Sequence, residues 1–402
     1  MKGGIISERQ RRRKRRQLTI AMVLVAIIVA IGVFFVGQIR QDNGASGSET
    51  ADAQNSAAPT ATVDPVQKKV DSLVSSMSLE EKVGQLFLAR VPESGQTDAI
   101  SQYHLGGYLM FERDFQGETP DSLTAKIQSW QNAATTPMFI ASDEEGGEVT
   151  RVSMVAGLTD GLFQSPQTVY AQGGMDAIAS DTAQKSAVLK KYGINYNLAP
   201  VADVADDPGS FIYSRTIGLD AAQTAQYIQV VVKAMKEGKV GCSLKHFPGY
   251  GDNGDSHGEI IRDSRELATF QQRDLKPFQA GIDAGADSVL VTHNIISCMD
   301  DSEPASLSPE VHNYLRNTMG FKGVILTDDF DMKGLSDFID QDNGAIKSIQ
   351  AGNDLTISSS YADQIPTVIQ AVQNGTISED TINASVRRIL KMKIDLGIID
   401  AN

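Results

Sequence analysis

Apolar residues fall along this chain in two rhythms. The first is one uninterrupted run, LTIAMVLVAIIVAIGVFFVG, residues 18–37, with no charge in it. A helix of that length crosses a hydrocarbon core, whereas the apolar region of a cleavable signal is shorter, about 7–15 residues. The second rhythm starts near residue 67, where short apolar runs alternate with longer segments of helical spacing. The short runs are GQLFLARV (84–91), GGYLMF (106–111), PMFIAS (137–142), INYNLAPV (194–201), CSLKHF (242–247), DSVLVTH (287–293), GVILT (323–327) and NDLTIS (353–358). Between them, Ser78-Leu-Glu-Glu81 has the pattern of a helix capping box. TAQYIQVVVKAMKEG (224–238) keeps its apolar residues on one face and closes on Gly. SEDTINASVRRILKMKIDLGI (378–398) is acidic at its start and basic in its second half, as a helix dipole favours. Strands alternating with helices pair in parallel. Eight such units predict an α/β fold, a single (β/α)8 TIM-type barrel. An open, doubly wound sheet yields the same alternation, but no GxGxxG follows the first strand.

Charge settles how the first run is read. Residues 1–16 hold eight basic side chains against Glu8, so the net charge of −14 conceals about +7 there and about −21 elsewhere. Basic residues before an apolar span stay cytoplasmic, which sends the chain from about residue 40 outside. The expected division is a basic cytoplasmic segment (1–17), a transmembrane signal-anchor helix (18–37), a flexible linker (38–66) and the barrel (67–402). QDNGASGSETADAQNSAAPTATVDP, at 41–65, has the small polar composition of such a linker. The protein is therefore expected at the cell membrane, single-pass, with its barrel extracytoplasmic. A body this acidic repels phosphate backbones and excludes nucleic acid as a partner. Cys242 and Cys298 are the two cysteines; a bridge between them is chemically possible outside the cell.

A barrel of this type gathers its chemistry where the strands end. Polar residues do cluster there. Asp143-Glu144-Glu145 follows the third run, Asp203 the fourth, Lys245-His246 end the fifth, His293 the sixth, and Asp328-Asp329 follow the seventh. Buried charge is costly unless paired or used. One such residue reads as a satisfied structural group; five strand ends of eight read as a site.

The densest stretch is KHFPGYGDNGDSH, residues 245–257. Pro248 ends the strand because it lacks a donor, and three glycines let the chain turn. Asp255 stands two residues from His257. An aspartate that accepts from an imidazole orients it and makes it a proton shuttle near neutral pH. Asp328, after four apolar residues, suits a rigid carboxylate nucleophile. Nucleophile and shuttle together are the minimum for retaining glycoside hydrolysis. His246, Asp252, Asp255, His257 and Asp328 are also possible metal ligands. Barrel metallohydrolases carry HxH on the first strand, and GQLFLARV has none, so no metal is expected.

These segments resemble glycoside hydrolase family 3, specifically its NagZ-type β-N-acetylglucosaminidases. KHFPGYGDNGDSH is similar to the family's KHFPGHGDTxxDSH, ASDEEGGEVTR to VDQEGGxVxR, NLAPVADV and YSRTIG to NxAPVxDV and xxRSFG, and GVILTDDFDM to GVIxSDDLxM. The likeness runs from about residue 68 to about 400. It implies one barrel, no cofactor, Asp328 as nucleophile, and His257 as general acid/base with Asp255 as its partner. It implies sugar contacts from Asp143, Arg151, Arg215, Lys245 and His246. It also implies a retaining exo-β-N-acetylglucosaminidase that removes terminal β-linked N-acetylglucosamine from glycans or muropeptides, and a monomer is expected. The chain departs from the pattern at Tyr250, which stands for a histidine, at Glu144 for Gln and at Glu148 for a frequent Arg. Its loop is one residue shorter between Asp252 and Asp255. Family members with other sugar specificity take their acid from a second domain, and the expectation here is that none follows Asn402. A β-glucosidase or β-xylosidase, and a tethered wall-binding protein without turnover, are the alternatives.

Overall fold

The computed structural model describes residues 64–255 and 258–401. The apolar run at 18–37 and the linker as far as residue 63 lie outside the described residues, as do Ser256 and His257. Among the described residues no helix is long and apolar enough to cross a membrane.

Eight parallel strands close into a barrel, each beside the next in sequence and the eighth beside the first. They are β1 (Phe87–Arg90), β2 (Gly107–Met110), β3 (Phe139–Ser142), β4 (Tyr196–Asn197), β5 (Gly241–Phe247), β6 (Ser288–Val291), β7 (Val324–Asp329) and β8 (Leu355–Ser358). Each overlaps one of the eight apolar runs, so the closed barrel and not the open sheet is the architecture. Strands in such a barrel are covered on both faces, which is why they read as near-continuous apolar runs and not as alternation. Phe87, Tyr108, Ile140, Val289 and Leu326 are fully buried within them.

The helices follow their sequence signals with two instructive exceptions. Ser78 and Glu81 do form a capping box: Ser78 Oγ accepts from the Glu81 N–H at 3.2 Å, and Glu81 Oε2 accepts from the Ser78 N–H at 2.8 Å. Helix Ala221–Gly238, by contrast, does not end on a left-handed glycine. The left-handed residue is Lys239, at φ 56°. Gly238 serves close packing instead, since a Cβ there would lie 2.7 Å from Cβ of Ser186 on helix Pro166–Tyr192. Helix Glu379–Asp395 carries Lys393 in its last turn, where the dipole favours a cation. Yet Lys393 faces inward and is fully buried. Its Nζ donates to Gln85 Oε1 at 2.6 Å and sits 5.0 Å from the Phe139 ring centroid. Burial pushes this amine down to about 7.

Two features of β5 shape the site. The strand stops at Phe247, just before Pro248. Its register against β6 also slips between Leu244 and Phe247. A regular strand sends consecutive side chains to opposite faces; with the slip, Lys245 and His246 both line one cavity. Beyond Pro248 the chain turns at Gly249 and Gly251, both at positive φ, and farther on Arg262–Asp263 forms a short parallel ribbon with Ile295–Ile296. That ribbon joins the loop after β5 to the loop after β6. Cys242 is buried, Cys298 is half-buried, and they are not bridged.

Candidate active site

The strand ends converge on a single open cavity, as a barrel of this kind requires. Asp143, Lys245, His246 and Asp328 line it from β3, β5 and β7, and Arg151 and Arg215 close its side. Arg90 from β1 and Phe111 after β2 complete the wall.

One side of the cavity is a cross-linked set of charges. Arg215 grips Glu145 with two prongs, Nε to Oε2 at 3.0 Å and Nη2 to Oε1 at 2.7 Å. Lys245 Nζ bridges Glu145 Oε1 at 2.6 Å and Asp143 Oδ1 at 2.7 Å. Arg151 Nη2 stands 3.8 Å from the other Asp143 oxygen. Burial alone would raise the Glu145 carboxyl, but Arg215 and Lys245 outweigh it and hold that group well below the usual carboxylate range. Burial likewise opposes the Arg215 charge, and Glu145 overcomes it, so Arg215 is held charged.

His246 is fixed from behind. Its backbone N–H and its Nδ1 both reach Asp203 Oδ2, at 3.0 and 2.8 Å. Asp203 is fully buried and takes the Tyr250 N–H on its second oxygen at 2.7 Å. A carboxylate on Nδ1 places the ring proton there, which leaves Nε2 as an acceptor toward Arg215 Nη2 at 3.3 Å. Tyr250 packs edge-on against the His246 ring at 5.0 Å. Glu144 has a different task. Its carboxylate takes the N–H groups of Arg151 and Val152, at 2.9 and 2.8 Å, and the Ser153 hydroxyl at 2.5 Å. It shapes the turn that presents Arg151.

The other side is the end of β7. Asp328 is half-buried, and its Oδ1 accepts from the Asp329 N–H at 2.9 Å. Asp329 pairs with Arg90 Nε at 2.7 Å. Burial pushes the Asp329 carboxyl up to about 6, and Arg90 offsets this only in part. His293 packs beneath the cavity. Its Nδ1 contacts Ser306 Oγ at 2.6 Å, and its Nε2 meets the Asp329 carbonyl at 3.1 Å. It thereby holds the backbone directly after Asp328. The Arg90 guanidinium lies 4.5 Å from the Phe111 ring centroid, a cation over an apolar plate.

Of the loop after β5, no described residue lines this cavity. Asp255 is solvent-exposed on that loop, and His257 lies outside the described residues. Asp252 is engaged elsewhere: its Oδ1 accepts the N–H groups of Asp206 and Asp207, at 3.0 and 3.1 Å, and its Oδ2 meets Arg273. Among the described residues no group of three or more His, Cys, Asp or Glu is arranged to hold an ion.

The barrel that carries this cavity is one that known proteins share. The glycosyl hydrolase family 3 N-terminal domain matches residues 78–392. The chain belongs to glycosyl hydrolase family 3. The β-hexosaminidase LpqI of Mycobacterium tuberculosis is 29% identical over 365 residues, covering 87% of this chain and 91% of that protein. Beta-hexosaminidase A of Pseudoalteromonas piscicida is 29% identical over 331 residues, covering 75% of this chain. The chain spans only 55% of that relative's length. A solved family 3 β-N-acetylglucosaminidase from Paenibacillus sp. str. FPU-7 superposes with a TM-score of 0.76 at 29% identity, over 80% of this chain and 63% of that one.

Within this family 3 barrel, the five expected sugar-contact residues and Asp328 all reach one cavity. Arg90 was hidden from the sequence by its place inside an apolar run. The strand-end rule, applied to β1 as to the others, is the signal that finds it. Phe111 carries no such signal, because an aromatic after a strand reads as core.

Proposed function

We propose that this chain is a retaining exo-β-N-acetylglucosaminidase that removes terminal β-linked N-acetylglucosamine from cell-wall fragments. The observation that carries the reading is Asp328. It is a half-buried carboxylate on a barrel strand, opposite a set of charged groups whose mutual ion pairs fix their positions. Asp143, Lys245 and His246 offer hydrogen bonds to ring hydroxyls, and Arg151 and Arg215 offer rigid forks of donors. The names of the mycobacterial and Paenibacillus relatives support the N-acetyl sugar.

In this mechanism an Asp328 oxygen bonds to the anomeric carbon as the bond to the leaving oxygen breaks. His257, oriented by Asp255, gives its proton to that oxygen. Water then adds to the anomeric carbon, returning a proton to His257 and releasing Asp328. The uncharged run at 18–37 behind eight basic residues supports a single membrane anchor with the barrel extracytoplasmic. That placement suits peptidoglycan fragments as substrate.

The test is hydrolysis of a chromogenic β-N-acetylglucosaminide beside the matching glucoside. The N-acetyl sugar should be turned over in preference, and Asp328→Ala should lower kcat/KM by about 10³-fold or more. Preference for the glucoside, or a folded wild type inert toward both, overturns the reading.

A further inference from the structure

Away from the cavity lining, a buried ion cluster lies under the base of the β5 loop. Its centre is Arg265. Nε and Nη2 grip the two oxygens of Asp263, at 2.9 to 3.1 Å and 2.7 Å. Nη1 takes both oxygens of Asp274, at 2.9 and 3.0 Å. Nη2 also donates to the Gly249 carbonyl at 2.9 Å. Asp263 is 1% exposed and Asp274 is fully buried. Burial pushes the Asp274 carboxyl up to about 6 against the pull of Arg265. The guanidinium lies 4.3 Å from the Phe270 ring centroid, so the face of its plane is covered as well.

These partners come from particular places in the chain. Gly249 is where the loop leaves β5, Asp263 is where it returns through the ribbon, and Asp274 belongs to the outer helical layer. Asn253 adds a strut between the two ends, its Nδ2 reaching the Tyr250 carbonyl at 2.8 Å and Asp263 Oδ2 at 2.7 Å. The loop backbone is laid directly on the cluster. A Cβ on Gly251, at φ +60°, would collide with Arg265 Nη1, and one on Gly249, at φ +120°, would lie 2.8 Å from Asp274 Cβ. A buried ion cluster adds little net stability compared with an apolar one of the same shape, so its geometry is the better guide to its use.

We infer that Arg265 is a positioning residue for proton transfer, tying the departure of the β5 loop at Gly249 to its return at Asp263. The inference rests on the glycosidase reading above, in which that loop carries the acid/base. Arg265 does not line the cavity. It acts by setting the span between the loop's two fixed ends, and so where the proton donor stands relative to the leaving oxygen. A donor misplaced by about 1 Å loses on the order of 10² in rate.

The experiment compares kcat/KM for two β-N-acetylglucosaminides in wild type, Arg265→Met and Arg265→Lys. One substrate carries a nitrophenol that departs without a proton; the other carries an alkyl alcohol that needs one. Arg265→Met should lose about 10²-fold on the alkyl glycoside and under about threefold on the nitrophenyl one. Arg265→Lys should recover part of the alkyl activity, because the charge between Asp263 and Asp274 returns without the fork. Should Arg265→Met fail to fold, Gly251→Ala presses on the guanidinium while keeping every charge, and it should show the same leaving-group-selective loss. Equal losses on both substrates, or no loss on either, overturn the inference. A wild type inactive on both substrates overturns the glycosidase reading instead.

Discussion

The β3–β5 side of the cavity and the loop that follows β5 are held in place by different means. On the β3–β5 side, Asp143, Glu145, Arg215, Lys245, His246 and Asp203 brace one another, and most of them stand on or just after strands. In the loop, the chain between Pro248 and the ribbon is fastened near its ends, through Arg265 at Gly249 and Asp263 and through Arg273 and the 206–207 backbone at Asp252. Groups that hold a sugar need fixed mutual distances, which reciprocal ion pairs on strands provide. A group that gives and retakes a proton can stand on a loop, provided the ends of that loop are set. Under the function proposed above, the difference divides binding from proton transfer, and substitutions should separate the two.

The largest effect is expected at Glu145. Glu145→Gln leaves Arg215 and Lys245 buried without their shared anion. Stability should fall by about 3 kcal/mol, measured by urea unfolding, and KM should rise more than kcat falls. The pH dependence has a definite sign. The Glu145 carboxyl is depressed in the fold, so the unfolded chain binds its proton first as pH falls. Its contribution is present above the ordinary carboxylate range and is lost below it. The Gln variant should therefore show a shallower acid limb of stability than wild type.

A middle-sized effect is expected outside both regions, at Lys393. Its amine is lowered to about 7 by burial. Between that value and the ordinary lysine range the unfolded chain binds a proton that the fold does not, so wild-type stability rises with pH across this window. Lys393→Met removes the penalty, and its stabilisation relative to wild type should be greater at pH 6 than at pH 9. Thermal unfolding at the two pH values reads this directly. A difference that is the same at both would show that the amine is not desolvated.

The smallest effect is expected at Glu144. Glu144→Gln keeps an oxygen for the Arg151 and Val152 N–H groups and turns an amide toward Ser153, whose hydroxyl can accept it. Stability and KM should change by less than about 1 kcal/mol in free-energy terms. A large rise in KM would mean that the charge of Glu144, and not the turn it shapes, matters to the site.

Much of this architecture was legible because one physical rule wrote it. Strands buried on both faces are apolar, so their ends show wherever charge appears, and Asp143, Asp203, Lys245 and Asp328 were found that way. The rule fails where the reason for a residue lies across the fold. Arg90 is a charge inside an apolar run because its partner, Asp329, comes from a strand on the far side of the sequence. Arg265 and Asp274 sit nine residues apart without any periodicity, and only the returning loop explains why they meet. Lys393 obeys the helix-dipole rule in sequence and still turns inward, because its face of the helix covers the barrel. Lys245 and His246 break the two-residue alternation through a register slip that no local pattern announces. Gly238 carried a true signal with the wrong cause, close packing in place of a cap.

The most direct test of the central claim is to locate the covalent intermediate. An activated 5-fluoro N-acetylglucosaminide, which forms the glycosyl-enzyme faster than water can release it, is incubated with the protein, and the digested product is mapped by mass spectrometry. The account predicts one N-acetylhexosaminyl adduct, on the Asp328 carboxylate. An adduct on any other residue, or rapid release of the leaving group with no adduct at all, would contradict it.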